Sequence, residues 1–266
     1  MPVVPAAREQ KVKAFAALHE GPTFVIPNPW DAGSARVLDG LGFKALATTS
    51  GGFAFTLGRQ DGAVTLEEVA RHVREIDEAT ALPVSVDLEN GYGPAPEDAA
   101  RAIAAASEAG AAGGSIEDYD PEDGIYPLDF AAERVTAAAE EAARRDFVLT
   151  ARAENFIREN PDLDDTIARL QAYERAGADV LYAPGLPGID EIRAVCQAVS
   201  KPVNVLARPN LSLDEIAEAG GQRISVGSGL TWVAAKAMLA AAEQMQGGDF
   251  SAMTGPGRIK DWLERA

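Results

Sequence analysis

The chain contains a single cysteine, Cys196, among its 266 residues. One thiol cannot form an intrachain disulfide, which excludes a disulfide-stapled secreted scaffold. Cys196 lies in the segment Ile192–Val199, where apolar residues recur at helical spacing. A free cysteine in such a pattern is usually a buried structural residue, so no chemical role is assigned to it.

Long apolar runs are also absent. No segment approaches the roughly 20 apolar residues that span a bilayer, and Met1 to Phe15 contain no apolar core of signal-peptide length. Basic residues are outnumbered, with 24 Lys and Arg against 41 Asp and Glu and a formal net charge of −17. This charge repels nucleic acid and anionic membranes. We therefore expect a cytoplasmic protein without a nucleic-acid or membrane partner, in which an anionic substrate needs a metal ion or an arginine.

Only two histidines, His19 and His72, are present. Both lie in helix-like patterns, and we interpret both as helix-surface residues and not as catalytic bases. Candidate catalytic groups are therefore carboxylates, arginines and tyrosines.

Strand-like and helix-like segments alternate along the chain. The eight apolar strand-like segments are Thr23–Pro27, Ala45–Thr49, Val84–Leu88, Gly114–Glu117, Phe147–Arg152, Val180–Ala183, Val203–Ala207 and Ile224–Gly227. The helix-period segments are Leu66–Thr80, Pro96–Ala109, Asp129–Arg144, Leu163–Ala176, Ile189–Val199 and Leu230–Met245. Such alternation indicates parallel strands joined by crossover helices.

Eight such units predict an α/β fold with one domain over residues 1–266, a (β/α)8 TIM-type barrel with extra C-terminal helices. A doubly wound open sheet is the alternative, but it usually has five or six strands and often a Gly-rich dinucleotide turn, which is absent here. The segment Pro256–Leu263 places Ile259, Trp262 and Leu263 at helical spacing. It needs an apolar partner, which a neighbouring subunit could supply.

The segment Val84–Gly93 ends a predicted strand with two carboxylates. Asp87 and Glu89 are two residues apart and should share one face of the strand. Like charges held this close raise each other's pKa unless a cation lies between them. Oxygen ligands suit Mg²⁺ or Mn²⁺ better than zinc. The alternative is a solvated strand end with two surface acids.

In a barrel, the chemistry is expected at the carboxyl ends of the strands. By residue type, a hydrated Mg²⁺, which accepts few protein ligands, would be held by Asp87, Glu89 and Glu117. Arg152 would present a planar fork to a substrate carboxylate, although a structural salt bridge is the alternative role. The same carboxylate could be cradled by the main-chain amides of Ser50 and Gly51.

This combination predicts lyase chemistry. A metal ion that chelates a 2-oxo acid polarises the carbonyl and stabilises the enolate formed when a bond at C3 breaks. We expect the substrate's side chain to be selected by the loop after the fourth strand and by residues near Arg208 and Asn210.

Several motifs resemble, in order and spacing, the signature strands of the isocitrate lyase/phosphoenolpyruvate mutase superfamily. They are Asp87–Gly93, Ser115–Asp118, Thr150–Phe156, Thr49–Gly51 with Leu57–Asp61, and Ala168–Asp179. The resemblance covers roughly Phe24 to Gly229, and the joint occurrence of the motifs is far more specific than any one of them.

The resemblance implies a (β/α)8 barrel, usually a homotetramer with its last helix exchanged between subunits. It also implies Mg²⁺ (or Mn²⁺) and a small 2-oxo or 2-hydroxy carboxylate as substrate. By position, Asp87 matches the direct metal ligand. The positions that match the water-mediated metal shell are Glu89, Glu117 and Asp61. The positions that match the substrate-binding groups are Thr49, Ser50, Gly51 and Arg152.

One loop departs from the family pattern. Family lyases that split methylisocitrate or isocitrate carry a Lys-Lys-Cys-Gly-His loop after the fourth strand, whereas Tyr119–Pro127 contains no Cys, Lys or His. Decarboxylation of oxaloacetate requires the fewest catalytic groups. They would be Arg152 and Glu117, with Tyr119 or Tyr126 as the proton donor.

We therefore predict a Mg²⁺-dependent lyase that cleaves or forms a carbon–carbon bond of a small 2-oxo or 2-hydroxy carboxylic acid through a metal-stabilised enolate. One alternative is P–C chemistry of the phosphonopyruvate hydrolase or phosphoenolpyruvate mutase type. Another is a 2-oxo-acid binding protein without turnover.

Overall fold

The computed structural model describes residues 7–264. This range contains ten β-strands, eight of which form one sheet. They are β1 (Phe24–Ile26), β2 (Leu46–Ala47), β3 (Val84–Asp87), β4 (Gly113–Glu117), β5 (Tyr119–Asp120), β6 (Gly124–Ile125), β7 (Val148–Arg152), β8 (Val180–Tyr182), β9 (Val203–Leu206) and β10 (Arg223–Ser225). The predicted domain of residues 1–266 extends at both ends to residues outside the described range.

The large sheet is parallel and nearly closed. Its strand order is β1-β10-β9-β8-β7-β4-β3-β2. The two ends of this order meet, because the Ala47 amide donates to the Pro27 carbonyl at 3.1 Å. This confirms the predicted (β/α)8 TIM-type barrel, and each of the eight predicted strands overlaps one strand of the sheet.

The helices surround the barrel. They are α1 (Arg8–Leu18), α2 (Ala32–Gly40), α3 (Ser50–Thr56), α4 (Leu66–Ala79), α5 (Pro96–Glu108), α6 (Leu128–Arg144), α7 (Leu163–Arg175), α8 (Ile189–Ala198), α9 (Leu213–Glu218), α10 (Gly229–Gln246) and α11 (Ile259–Leu263). The six predicted helices match α4 to α8 and α10 within one residue at each end. Within the described residues, no helix combines the length and apolar character needed to cross a membrane.

Local chemistry sets the helix boundaries. α4 begins with a capping box, in which the Thr65 hydroxyl accepts from the Glu68 amide and the Glu68 carboxylate accepts from the Thr65 amide. α5 and α7 are followed by Gly110 and Gly177, whose φ angles of 107° and 104° are left-handed backbone that favours glycine. These glycines turn the chain into the next strand.

The apolar core and the centre of the barrel differ in character. The main core lies between the sheet and the helices and includes Leu149, which is fully buried. The centre of the barrel is polar, because Arg223 donates hydrogen bonds to Asn204 and Thr150 there. At the amino-terminal end of the strands, the buried ring of Phe15 from α1 packs against the first residues of the sheet.

A hairpin and two C-terminal helices, α10 and α11, lie beside the barrel. β5 and β6 pair antiparallel, so the segment after β4 is a hairpin. α10 exposes apolar side chains, among them Trp232, Val233, Met238 and Leu239. α11 packs against α2 of the same chain, and exchange of this helix between subunits stays a prediction.

The histidines differ from their predicted role as surface residues. His72 of α4 is only 4% exposed and stacks on Phe53, with ring centroids 3.9 Å apart, so its prediction is wrong. His19, after α1, is half-buried between the rings of Phe15 and Phe24. Burial lowers the pKa of His72 to about 4 and that of His19 to about 3. Both side chains are therefore neutral at physiological pH.

Candidate active site

A cavity of about 180 Å³ lies at the carboxyl ends of the barrel strands and extends into the barrel. The polar residues that line it are Asn28, Thr48, Thr49, Ser50, Asp61, Ser85, Asp87, Ser115, Arg152, Tyr182, Asn204, Arg223, Ser225 and Ser228. Five predicted site residues are thus brought together: Thr49, Ser50, Asp61, Asp87 and Arg152.

Arg152, the last residue of β7, is the centre of an ion-pair network. Its Nη1 lies 2.9 Å from Asp87 Oδ1, and its Nη2 lies 3.2 Å from Glu117 Oε2 and 2.9 Å from Glu154 Oε1. Burial alone would lower the pKa of Arg152, but the three carboxylates outweigh it and hold the pKa well above its usual value. Arg152 therefore lines the cavity and also makes the salt bridges proposed as its alternative role.

Asp87 is held from several sides at the end of β3. Its amide donates to the Thr48 hydroxyl at 3.0 Å. Its carboxylate accepts from the Ser50 amide at 3.2 Å and from the Glu89 amide at 3.3 Å, in addition to Arg152. The Ser50 amide, expected to cradle a substrate carboxylate, here orients Asp87.

Ser50 and Gly51, whose amides are the predicted carboxylate cradle, are the first two residues of α3. Thr49 caps this helix and shares a 2.7 Å hydrogen bond with the Ser228 hydroxyl. A Cβ atom at Gly51 would lie 2.8 Å from Ser228 Oγ and 3.2 Å from Asp61 Oδ2. Glycine at this position therefore lets α3 approach the two side chains closely.

Glu89 lies in a field of like charge. Its backbone φ is 48°, which is left-handed for a residue with a side chain. Burial raises the pKa of Glu89 to about 7, and the neighbouring carboxylates of Asp87 and Asp61 add to the increase. Its Oε1 accepts a hydrogen bond from the Tyr92 hydroxyl at 3.3 Å. This group lacks the close guanidinium partner that Asp87 has.

Glu117 and Glu154 are both buried beside arginines. Glu117 Oε1 is 3.4 Å from Arg158 Nη2, while its other oxygen faces Arg152. Burial raises the pKa of Glu117 well above its usual value, with a further increase from the Glu154 carboxylate, and burial also raises the pKa of Glu154. Sequence reasoning did not assign Glu154 a role, although its position two residues after Arg152 places it at the same strand end.

The acids suit a hydrated cation better than a closed ligand cage. Within residues 7–264, no three His, Cys, Asp or Glu side chains are placed to ligate one metal ion directly. Mg²⁺ commonly uses one or two carboxylates and keeps several waters. Burial raises the pKa of Glu89, and the carboxylates of Asp87 and Asp61 raise it further. Oxygen ligands that gather negative charge in this way fit a hydrated cation. Glu117 is occupied by two arginines.

Tyr119 lies on the hairpin and contacts the rim of the network. Arg158 Cζ is 3.7 Å from the centroid of the Tyr119 ring, a cation–π contact. Tyr119 is not among the residues that line the cavity. The Tyr126 hydroxyl is bonded to Asp120 at 3.1 Å. Both tyrosines are therefore held in place by neighbours on or near the hairpin.

Asn210 lies apart from the other predicted residues. It is exposed in the turn between β9 and α9 and does not line the cavity. Asn204 of β9 lines the cavity instead, and its Nδ2 donates to Ser225 Oγ at 2.9 Å. The alternation of side chains along a strand could have indicated Asn204, because it lies between the apolar residues Val203 and Val205.

A buried group behind the site was also missed. Asp118 accepts from the Glu154 amide at 2.8 Å and from Arg169 Nη1 at 3.1 Å. It also accepts from the Tyr173 hydroxyl. Asp118 thereby fixes the backbone that carries Glu154. Its position directly after Glu117 at the end of β4 was the available signal.

The chain is similar to known proteins over most of its length. Residues 15–246 match the family model described as phosphoenolpyruvate phosphomutase. 2-Methylisocitrate lyase of Escherichia coli (strain K12) is 32% identical over 223 residues, which are 78% of this chain and 75% of that protein. Oxaloacetate decarboxylase of Bradyrhizobium diazoefficiens is 32% identical over 231 residues, which are 83% of this chain and 77% of that protein.

A solved structure is similar over nearly the whole chain. It is that of a protein from Burkholderia cenocepacia J2315 whose description leaves open whether it is a lyase or a mutase. The two chains are 48% identical and superpose with a TM-score of 0.92, over 96% of each chain.

Proposed function

The chain belongs to the phosphoenolpyruvate phosphomutase family, and on this premise we propose that it is a Mg²⁺-dependent lyase. The substrate is a small 2-oxo or 2-hydroxy carboxylic acid, in which a carbon–carbon bond is cleaved or formed. The observation that supports this most is the buried guanidinium of Arg152 beside Asp87 on the wall of a small polar cavity. Relatives that are lyases and a decarboxylase support the same class of reaction.

The cation would be held by Asp87, with Glu89 and Asp61 contacting its waters. When bound, Mg²⁺ supplies Lewis-acid polarisation of the substrate carbonyl. A Mn²⁺ ion fits the same oxygen ligands. Its positive charge would also offset the effects of burial and of the neighbouring carboxylates, which together raise the pKa of Glu89.

Oxaloacetate is the simplest substrate for the groups present. The bond between C3 and the C4 carboxylate breaks, carbon dioxide leaves, and the electron pair forms the enolate of pyruvate. Arg152 offers positive charge to the enolate oxygen or to the C1 carboxylate, because only one of the two N–H groups on Nη1 is needed for Asp87. A proton then returns to C3.

The composition of the hairpin after β4 is the reason why we propose decarboxylation over other carbon–carbon cleavages. It carries no thiol, lysine or histidine to act as an acid or base. Loss of carbon dioxide needs no base to start the reaction, whereas the release of a larger acid from a hydroxyl-bearing carbon does. Tyr119 is our candidate for the returning proton and would have to reach C3 from outside the cavity lining. Glu117 pairs with Arg158, which contacts the Tyr119 ring.

The proposal is tested by assaying pyruvate formation from oxaloacetate and from branched malates with and without Mg²⁺. We expect metal-dependent turnover that Asp87→Asn abolishes, together with loss of Mg²⁺ binding in calorimetry. Asp190→Asn is the matched control, since the Asp190 side chain is 89% exposed and does not line the cavity. Absence of turnover with every such acid, despite Mg²⁺ binding, would instead support a 2-oxo-acid binding protein.

P–C chemistry is a second candidate because the matching family model is that of a phosphomutase. Release of phosphate from phosphonopyruvate, or formation of phosphonopyruvate from phosphoenolpyruvate, would favour this candidate over the lyase. The cavity's only arginines are Arg152 and Arg223, so a dianionic phosphonate would have few cationic partners among the described residues.

Assembly and location are also proposals. The exposed apolar side chains of α10 support association of copies of this chain, and we propose a homotetramer in the cytoplasm. Light scattering should then give about four times the chain mass of 27.9 kDa. A monomeric mass at micromolar concentration would contradict the tetramer.

A further inference from the structure

Arg223 is a buried cation with neutral partners. It is 4% exposed and lines the cavity. Its Nε donates to Asn204 Oδ1 at 2.8 Å, its Nη2 donates to Thr150 Oγ1 at 2.9 Å, and its Nη1 lies 3.2 Å from His19 Nε2. His19 Nδ1 lies 2.9 Å from the Phe15 carbonyl, which places the ring proton on Nδ1 and leaves Nε2 as an acceptor.

The charge of this guanidinium is not balanced by a carboxylate. Within residues 7–264, Arg223 forms no ion pair with a carboxylate, and Tyr182 raises its pKa against the larger effect of burial. Burial lowers the pKa of Arg223 to about 10, so it remains protonated at neutral pH. A buried charge without a partner is costly, and an anion from solution would offset that cost.

Arg223 lies one layer deeper in the barrel than Arg152. It contacts Thr150, which precedes Arg152 by two residues on β7 and points to the same side of the strand. Two residues along a strand span about 6.6 Å. Tyr182 also lines the cavity, and its ring centroid is 5.3 Å from Arg152 Cζ. Both guanidinium groups line the same cavity, at successive levels of the barrel.

The cavity therefore has two electrostatically different ends. At its mouth, the carboxylates of Asp61, Asp87 and Glu89 accumulate negative charge. Ser85 and Ser225 also line the cavity, and Asn204, which accepts from Arg223, donates to Ser225 Oγ. A cation is favoured at the mouth and an anion at the inner end, because each lies beside charge of the opposite sign.

We propose that the inner end of the cavity is an anion subsite, in which Arg223 binds the second carboxylate of a dicarboxylic 2-oxo or 2-hydroxy acid. Three of the five N–H donors of the guanidinium are used by Asn204, Thr150 and His19, so two remain for a carboxylate. The proposal rests on the proposed function for the position of the first carboxylate at Arg152. It adds a residue that selects diacids over monoacids.

Malate and lactate test this subsite, because both are 2-hydroxy acids and differ by one carboxylate. Calorimetry with the full-length protein and saturating Mg²⁺ should show malate binding at least about tenfold more tightly than lactate, as expected for one charge-assisted contact. In Arg223→Gln, malate affinity should fall to within about twofold of lactate affinity, while lactate affinity stays unchanged. Equal binding of the two acids by the native protein would overturn the proposal.

Asn204→Asp provides a variant of nearly unchanged shape. It places a carboxylate 2.8 Å from Arg223 Nε, so the guanidinium gains an internal counterion. The preference for malate should disappear in this variant while its melting temperature is retained. A purely structural Arg223 would lower the melting temperature in Arg223→Gln and leave the ratio of the two affinities unchanged in both variants, which would also overturn the proposal.

The subsite and the lyase activity can fail separately. Preference for malate without turnover of any 2-oxo acid would retain the subsite and contradict the lyase. Turnover of oxaloacetate with equal affinities for malate and lactate would retain the lyase and contradict the subsite.

Discussion

The mouth and the centre of the barrel each contain a buried arginine, and the two are stabilised differently. Arg152 at the mouth forms ion pairs with Asp87, Glu117 and Glu154, which raise its pKa despite burial. Arg223 in the centre has only neutral hydrogen-bond partners, and burial lowers its pKa to about 10. The mouth is therefore rich in negative charge, whereas the centre keeps a positive one.

The two arginines therefore differ in what their removal would leave behind. Removing Arg152 would leave Asp87 without its guanidinium partner, and Glu117 and Glu154 with Arg158 alone, so the network at the mouth depends on Arg152. Removing Arg223 would leave only neutral acceptors unsatisfied. The same residue type is thus part of a balanced network in one region and an unbalanced charge in the other.

The largest effect expected from this comparison is on stability. Arg152→Gln should lower the free energy of unfolding by about 3–5 kcal/mol, because it leaves Asp87 unpaired and the buried Glu117 and Glu154 with Arg158 as their shared counterion. Arg223→Gln should cost only about 1–3 kcal/mol, the loss of hydrogen bonds to neutral groups. Urea denaturation measures both values, with Arg193→Gln on the exposed face of α8 as a control within about 0.5 kcal/mol of the native protein. Equal losses for the two buried arginines would remove the distinction.

A glycine at the amino-terminal end of the barrel should be the next most sensitive position. A Cβ atom at Gly113 would lie 2.6 Å from the Val148 carbonyl oxygen and 2.7 Å from the Phe15 ring. The carbonyl belongs to the adjacent strand and cannot move aside, so we expect Gly113→Ala to cost about 1–3 kcal/mol in thermal or urea unfolding. A neutral effect would mean that α1 is held less tightly against the strands than these distances indicate.

The pH dependence of stability reports on His19 beside Arg223. The pKa of His19 is about 3 when folded and near 6.5 when unfolded, so the unfolded chain binds the extra proton first as the pH falls. The contribution of His19 to stability is complete above pH 6.5 and decreases below it, by at most about 1.4 kcal/mol per pH unit. In His19→Gln this decrease should be absent. Unfolding free energies of both proteins between pH 8 and pH 5 measure it, and parallel curves would contradict the assignment.

The smallest expected effect on stability is that of a substitution at Gly51, which also lies at the mouth. A Cβ atom at Gly51 would meet the side-chain ends of Ser228 and Asp61, which can move, so Gly51→Ala should cost less than about 1 kcal/mol. We expect oxaloacetate turnover to fall more than stability does, because Asp61 is displaced. Comparison with Gly113→Ala, where the opposite order is expected, tests whether the mouth is adapted for chemistry and the other end for packing.

The fold was predictable because the same signal recurs eight times. Each strand is a short apolar segment, and each long helix has its own periodicity, so the alternation survives an error in any one element. α3 was missed because Gly51 and Gly52 are unfavourable in helices, and the capping hydroxyl of Thr49 compensates for them. The superfamily and the enzyme class, predicted from motifs at the strand ends, are confirmed by the relatives.

The site was predictable only in part. Asp87 and Arg152 were identified because residue type and strand-end position point to the same edge of the barrel. Contacts between side chains on different strands could not be predicted from the sequence. The spacing of residues along one strand indicates which face a side chain lies on, but not which side chain of another strand it contacts. The hydrogen bond between Arg223 and Asn204 is the clearest case, since these two residues are 19 positions apart in the sequence and lie on neighbouring strands.

The lone thiol of Cys196 has a consequence for how this protein responds to oxidants and electrophiles. Cys196 is half-buried on α8, and burial raises the pKa of its thiol to about 11, so very little of the reactive thiolate exists at neutral pH. Because Cys196 on α8 is the one cysteine of the sequence, alkylating agents and peroxide have no catalytic thiol to modify. We therefore expect this enzyme to keep working under conditions that inactivate a lyase dependent on a cysteine acid/base.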